Sequence, residues 1–323
     1  MTRITVQTSL AKVATVGLFV GIASVLSSQV ARADDPLAGS DTAIILGGTT
    51  EPTPSTAFAQ AAENLFLNPL GFDGGATSST VCDMIGTDPC AAPLQVLTTP
   101  ELIQQGPSSL TAADDVVLAV ENEFTANPGT FSASDPLTIF GYSQSATAES
   151  IAMSRLEADG IPSADLHFVF IGDPSLADTG VWPNLVPDLD SLFGASETNT
   201  LLTDLGFDQV LGNVTPGDLY PTTIYSLDGD GVAQFQQDFE SGGLLGTIEG
   251  LFLQHVEYLG LTPAEIADAT ITTNGADLTY VDIPDNFNNG DAWLSAVFEH
   301  GAAGSGLLES VVQSLDFYLT NAF

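Results

Sequence analysis

The strongest constraint on the fold is an alternation of short apolar segments with longer helical patterns. Three apolar segments suit buried strands: DTAIILGG from Asp41, PLTIFG from Pro136 and ADLHFVFIGDP from Ala164. Helical patterns such as SLTAADDVVLAVENEF and SATAESIAMSRLEADG lie between them. Strands that are apolar throughout are typical of parallel sheets covered by helices on both faces. The sequence therefore predicts an α/β fold with a mainly parallel central sheet flanked by helices.

The second half of the chain continues this pattern after an interruption. Between residues 176 and 219 the periodicity fades, and Trp182, Pro183 and Pro187 occur among many Asp, Gly and Asn residues. Long irregular segments in compact domains often carry function, so we expect an inserted, lid-like region here. TTIYSL and ADLTYVDIP then predict two more strands, and LLESVVQSLDFYLTNAF predicts an amphipathic terminal helix.

The first residues have the pattern of a secretory signal peptide. Arg3 and Lys12 precede an apolar run over residues 13–26, which is short for a membrane span. An A-x-A match then ends at Ala33. We expect residues 1–33 to be removed, and residues 34–323 to form one domain that is secreted or associated with the cell envelope. An uncleaved anchor is the alternative.

The charge balance excludes two kinds of partner. The chain has 41 acidic and 4 basic residues, and its formal net charge is −37. Only Arg155 remains of the basic residues once the signal segment is removed. Nucleic acid and anionic membrane surfaces would repel such a chain, so neither is expected as an electrostatic partner.

The two cysteines, Cys82 and Cys90, favour a short disulfide-closed loop. An Asp-Pro turn signal lies between them, and export implies an oxidising compartment. No histidine or third cysteine lies nearby, so a metal site is not expected.

The segment LTIFGYSQSATAES places Ser143 between a buried strand and a helix. The pattern is close to the nucleophile elbow G-x-S-x-G, with Ser145 in the place of the last glycine. Ligands of open α/β sheets bind at the carboxyl ends of the strands, which makes Ser143 a candidate nucleophile. An ordinary turn serine is the alternative reading of so short a motif.

A serine nucleophile requires a base, and the chain has three histidines. His167 lies in a predicted buried strand, where a core role is expected. His300 lies in the glycine-rich segment FEHGAAGSG. His255 completes the order Ser, Asp, His that is typical of α/β hydrolases and is favoured over His300.

The acid and the oxyanion donors are expected in two loops. SLDGDG offers Asp228 and Asp230 after a strand; calcium binding is a weaker alternative, because the later ligands of an EF-hand loop are missing. The oxyanion donors would be the amide of Gln144 and an amide of Thr49 or Thr50 in the glycine loop. No metal or cofactor is required.

Five segments together resemble a known family. GGTTEPTPS, TTPEL, FGYSQSAT, HFVFIGDP and DGVAQF have the order and approximate spacing of the PE-PPE domain, the serine α/β-hydrolase domain of mycobacterial PE and PPE proteins. The resemblance covers residues 42 to 284 and implies a cutinase-like α/β-hydrolase fold. It places the family's catalytic residues on Ser143, Asp230 and His255, which ranks Asp230 above Asp228. Gln234 departs from the pattern, because the family often has a second aspartate there.

The resemblance also implies esterase, lipase or acyltransferase activity on lipids. The leading hypothesis is a secreted serine esterase or lipase that hydrolyses short to medium acyl esters without a cofactor. One alternative is an acyltransferase that moves acyl chains onto envelope glycolipids. The other is a non-catalytic envelope-binding protein that retains the fold.

Overall fold

A computed structural model of the protein describes residues 35–74, 79–274 and 277–285, together with Ala292 and Ala296. The predicted signal peptide at residues 1–33, the predicted terminal helix and His300 lie outside the described residues.

Eight strands form one sheet across the described chain. The strands are β1 (Ala43–Ile45), β2 (Val81–Asp83), β3 (Leu94–Val96), β4 (Leu137–Tyr142), β5 (Leu166–Ile171), β6 (Thr222–Leu227), β7 (Thr270–Thr273) and β8 (Leu278–Ile283). Their order is β2-β3-β1-β4-β5-β6-β8-β7, and only β7 pairs antiparallel to its neighbour. The predicted α/β fold with a mainly parallel sheet is therefore confirmed. The edge strand β7 was not predicted. All four of its residues are exposed, and its sequence TITT contains one apolar residue, so it lacks the apolar pattern of a buried strand.

Seven α-helices accompany the sheet in the part of the chain that is described. They are α1 (Thr56–Ala62), α2 (Gln105–Ala126), α3 (Gln144–Ala158), α4 (Val181–Phe193), α5 (Ala195–Asp204), α6 (Phe235–Phe252) and α7 (Pro263–Ala267). Helix α6 is kinked at Gly243, whose backbone is non-helical. Within the ranges given above, no helix combines the length and the apolar character that a membrane crossing requires.

The core consists of two layers, one on each face of the sheet. Alternate residues of a strand point to opposite faces, so Ile45 of β1 packs in one layer and Ile44 in the other. The first layer contains Phe58 of α1 and Ile266 of α7. The second contains residues of α2 and α3, among them Val116 and Met153. Burial on both faces explains why the central strands are apolar throughout.

The segment from 176 to 219 is more regular than the sequence pattern predicts. It contains α4 and α5, which are separated by Gly194 at a φ of +89°. Pro187 lies inside α4 and obscures its helical pattern. A small separate core beneath these helices includes Trp182 and Leu202, together with Phe235 of α6. The indole N–H of Trp182 donates a hydrogen bond of 3.0 Å to the Thr147 hydroxyl and so ties α4 to α3.

The predicted disulfide is present. The Sγ atoms of Cys82 and Cys90 are bonded at 1.97 Å, and the bridge joins β2 to the loop that precedes β3.

Candidate active site

Ser143 occupies the sharp turn between β4 and α3. Its backbone has φ of 57° and ψ of −112°, which is unfavourable for a residue with a side chain. The Ser143 N–H donates to the carbonyl of Ile171 at 3.0 Å, which fixes the turn against β5. The hydroxyl is thereby presented at the carboxyl edge of the sheet, as in a nucleophile elbow.

Ser145 replaces the usual glycine of the elbow and stabilises the same turn. Its hydroxyl accepts a hydrogen bond from the Tyr142 N–H at 2.8 Å and donates one to the Tyr142 carbonyl at 3.1 Å. The side chain is fully buried. The departure from G-x-S-x-G therefore has a structural explanation, since the serine side chain bonds both backbone groups of Tyr142 at the turn.

The structure brings Ser143, His255 and Asp230 together in one hydrogen-bonded chain. Ser143 Oγ lies 2.7 Å from His255 Nε2, and His255 Nδ1 lies 2.8 Å from Asp230 Oδ1. Because Nδ1 faces a carboxylate, we assign the ring proton to Nδ1. Nε2 is then the acceptor for the Ser143 hydroxyl. The imidazole and the carboxylate are both buried.

The Asp230 carboxylate is held by several donors. Its Oδ1 accepts from the N–H groups of Val232 at 2.8 Å and Ala233 at 3.2 Å, and its Oδ2 accepts from the Tyr258 hydroxyl at 2.7 Å. Burial alone would raise the pKa of Asp230, but His255 and these hydrogen bonds together lower that pKa below its ordinary value. The carboxylate is therefore ionised in the buried site.

Asp228, the other acid that the loop offers, is exposed, and the carboxylate that bonds the His255 ring is that of Asp230. In the described residues, no group of three or more His, Cys, Asp or Glu side chains is arranged to hold a metal ion.

Two neighbours that sequence reasoning missed fix the position of His255. The Tyr142 hydroxyl donates to the His255 carbonyl. Gly172 has a φ of +59°, and a Cβ there would lie 2.9 Å from His255 Cε1. Glycine is thus required at 172 by conformation and by space. The glycine of HFVFIGDP was the available sequence signal, although its contact with the imidazole depends on tertiary structure.

Backbone hydrogen bonds reduce the number of candidate oxyanion donors. The N–H of Thr50 donates to the Glu101 carbonyl at 2.7 Å and is not available for a substrate. The prediction that Thr50 could be an oxyanion donor is therefore corrected. The N–H of Gln144 opens α3, and helix N-termini favour negative charge. Across the described chain, neither this N–H nor that of Thr49 has an acceptor. These two amides remain the candidate donors.

Side chains hold the Thr49 loop beside the elbow. The Thr49 hydroxyl donates to Gln144 Oε1 at 3.1 Å and accepts from Gln105 Nε2 at 3.0 Å. A Cβ at Gly48 would lie 3.1 Å from the ring of Tyr142, so glycine permits the close approach of this loop.

His167 is a buried residue of β5 and lies away from this chain of contacts. Its Nε2 is 3.0 Å from the Thr223 hydroxyl, and burial lowers the pKa of His167 to about 4. These features are those of a neutral core histidine, as the sequence pattern predicts.

This chain is similar to several known proteins. Among solved structures, the chain is similar to a cutinase-like protein from Cryptococcus sp., with 19% identity, a TM-score of 0.36 and coverage of 70% of this chain and 98% of that one. Because the score is low, the fold class rests on the sheet topology instead.

Curated relatives come from Mycobacterium tuberculosis. An uncharacterized PPE family protein, PPE28, is 29% identical over 262 residues, covering 79% of this chain and 34% of the relative. Esterase PE16 is 26% identical over 272 residues, covering 81% of this chain and 46% of the relative. The chain thus spans less than half the length of either relative. The family model of the PE-PPE domain matches residues 90–286, and this chain belongs to the PE-PPE domain family.

Proposed function

We propose that the protein is a serine carboxylic-ester hydrolase in which Ser143 is the nucleophile, His255 the base and Asp230 the orienting acid. The observation that carries the proposal is the continuous chain from Ser143 Oγ through His255 to Asp230, with contacts of 2.7 and 2.8 Å. The similarity to Esterase PE16 supports the same class of reaction.

In the acylation step, Ser143 Oγ attacks the carbonyl carbon of the ester. The hydroxyl proton passes to His255 Nε2, and the carbonyl electron pair moves onto oxygen. The amides of Gln144 and Thr49 would donate to that oxyanion. When the carbonyl re-forms, the bond to the leaving alkoxide breaks, and the imidazolium returns its proton to that oxygen.

In the deacylation step, water attacks the acyl enzyme, and His255 accepts its proton. Collapse of the second tetrahedral intermediate releases a carboxylic acid and restores the Ser143 hydroxyl. Throughout, the negative charge of Asp230 stabilises the imidazolium, which is why an ionised carboxylate is needed at this position.

We further propose apolar acyl esters of short to medium length as substrates. Helix α6 ends close in sequence to His255 and exposes Leu244, Leu245 and Ile248. The helices α4 and α5, which share a small core with α6, would act as the lid. Exposed aliphatic side chains suit an acyl chain, and a polar reaction centre suits its ester head.

A fluorophosphonate probe tests the nucleophile, with p-nitrophenyl esters as the activity assay. Wild type should be labelled and should release nitrophenol, and Ser143→Ala should do neither. Ser163→Ala is the matched control: Ser163 is exposed and precedes β5, at the opposite edge of the sheet. Folded wild type that takes no label and cleaves no ester would refute the proposal. Product analysis with an added alcohol separates hydrolysis, which yields the free acid, from acyl transfer, which yields a new ester.

Export is part of the proposal and is supported by the bridge between Cys82 and Cys90, because disulfides persist in oxidising compartments. Mass spectrometry of the exported protein should find Asp34 at the amino terminus. A retained Met1 would instead favour the anchor.

A further inference from the structure

Tyr258 is fully buried and contacts the acid of the proposed triad. It begins the short helical turn Tyr258–Gly260, three residues after His255. Its hydroxyl lies 2.7 Å from Asp230 Oδ2 and 2.9 Å from the Leu227 backbone nitrogen. Leu227 is the last residue of β6, so this one hydroxyl joins the acid loop to the segment that carries the histidine.

The direction of the Tyr258 proton follows from its two partners. The Leu227 N–H can only donate, so the phenol oxygen accepts that bond. The phenol proton is therefore directed at Asp230 Oδ2. Burial and the charge of Asp230 raise the pKa of Tyr258 well above its ordinary value, so the donor stays protonated.

This bond fixes the orientation of the carboxylate. The N–H groups of Val232 and Ala233 both donate to Oδ1 and leave Oδ2 to other donors. Rotation about the Cβ–Cγ bond of Asp230 would keep a donor near one oxygen but carry the other away from the imidazole. His255 Nδ1 lies 2.8 Å from Oδ1 and 3.0 Å from Oδ2, and with Tyr258 on Oδ2 both oxygens are held in this position beside the imidazole.

We propose that Tyr258 is a positioning residue of this site, which acts by locking the Asp230 carboxylate in the orientation that holds the His255 tautomer. The inference rests on the proposed function. The Tyr258 ring packs edge-on against His255, with ring centroids 6.4 Å apart. Its hydroxyl, however, makes its hydrogen bonds to Asp230 and Leu227, so the effect of the hydroxyl on the reaction passes through the acid.

The test begins with Tyr258→Phe, which removes only the hydroxyl. Because a hydrogen bond to a charged group is involved, kcat for a p-nitrophenyl ester should fall by about tenfold or more, with KM little changed. Tyr225→Phe is the matched control, since that buried hydroxyl donates to the Phe66 carbonyl at 3.3 Å. It should leave kcat within about twofold of wild type.

The same change in an Asp230→Ala background separates positioning from a structural role. If Tyr258 acts through Asp230, Tyr258→Phe should have less than about a twofold further effect there. A structural role would lower kcat by the same factor in both backgrounds, and that result would overturn the proposal. An effect below about twofold in the wild-type background would overturn it as well.

Two controls keep the outcomes distinct. If wild type is not labelled by the fluorophosphonate, the proposed function fails; if wild type and Tyr258→Phe are labelled at the same rate, only the positioning role fails. If Tyr258→Phe does not fold, the exchange rate of the Tyr258 hydroxyl proton is measured instead, by NMR of wild type with labelled tyrosine. A hydroxyl proton of Tyr258 protected from exchange supports the donor geometry, and a rapidly exchanging one contradicts it.

Discussion

The buried carboxyl groups of Glu101 and Glu51 should make the protein less stable at alkaline pH. The two residues are 1% and 8% exposed, and in the described chain one carboxyl oxygen of each has no hydrogen-bond partner. Burial raises the pKa of each to about 8, and the neighbouring charge of Glu101 adds to the effect on Glu51. Thr99 donates to Glu101 at 2.7 Å and offsets part of its shift. The perturbation that tests this is Glu101→Gln, which keeps the shape but cannot ionise.

The sign and size follow from proton linkage. The folded pKa of Glu101 is about 8 and the reference value is 4.5, a difference of about 3.5 units. A raised folded pKa contributes stability that is fully present below pH 4.5 and is lost as the pH rises towards 8. At 1.36 kcal/mol per unit, the loss for Glu101 is at most about 5 kcal/mol, which is comparable to the whole stability of many domains.

Urea unfolding at a series of pH values between about 5 and 9 measures this loss. The free energy of unfolding of wild type should fall by several kcal/mol over that range. The fall for Glu101→Gln should be smaller than that for wild type by at least about 2 kcal/mol. Glu157→Gln, at an exposed glutamate on α3, is the control and should parallel wild type. If the Glu101→Gln curve also runs parallel to wild type, the carboxyl is not held protonated and the reasoning is refuted.

Three further predictions concern single sites. Asp230→Asn should fold and lose up to about four orders of magnitude in kcat, whereas Asp228→Asn should stay within about tenfold of wild type, as esterase kinetics will show. Replacing Cys82 and Cys90 by serine should cost about 2.5 kcal/mol of unfolding free energy in urea titrations, because the bridge closes a short loop. Gly172→Ala should cost about 1–2 kcal/mol from its left-handed backbone and should also lower kcat, because the added methyl group displaces the imidazole.

The sequence was sufficient to predict those features for which a local pattern agrees with the global fold. Apolar strands alternating with helices predicted the parallel sheet, and the G-x-S-x-S segment placed Ser143 at the turn after β4. Chain order favoured His255 and the family resemblance favoured Asp230, and the structure places both in one hydrogen-bonded chain with Ser143. Ser143 and Asp230 each follow the carboxyl end of a parallel strand, and such ends meet at one edge of the sheet, so local patterns could predict that the two lie close together.

Features that depend on tertiary contacts could not be read from the pattern. Helix α4 contains Pro187, which argues against a helix locally, yet Trp182 and its neighbours bury an apolar face against α6. The amide of Thr50 was an equal candidate to that of Thr49 until its bond to the Glu101 carbonyl became visible. Nor does any motif single out Tyr258, since its partner lies 28 residues away in the chain.

The backbone strain of the protein is concentrated where the reaction is proposed. Three non-glycine residues of the described chain have positive φ, namely Ser143 at 57°, Thr50 at 72° and Glu101 at 41°. Each such residue costs about 1–3 kcal/mol and persists only when its surroundings over-determine it. Ser143 is held by the Ile171 carbonyl, while Thr50 and Glu101 hold one another through a backbone hydrogen bond. Glu51 follows Thr50 directly, and burial raises the pKa of its carboxyl to about 8, so alkaline ionisation of Glu51 would place a charge in the loop that carries Thr49. The loop of the proposed oxyanion donor Thr49 should therefore lose its geometry at a lower pH than the sheet loses its packing.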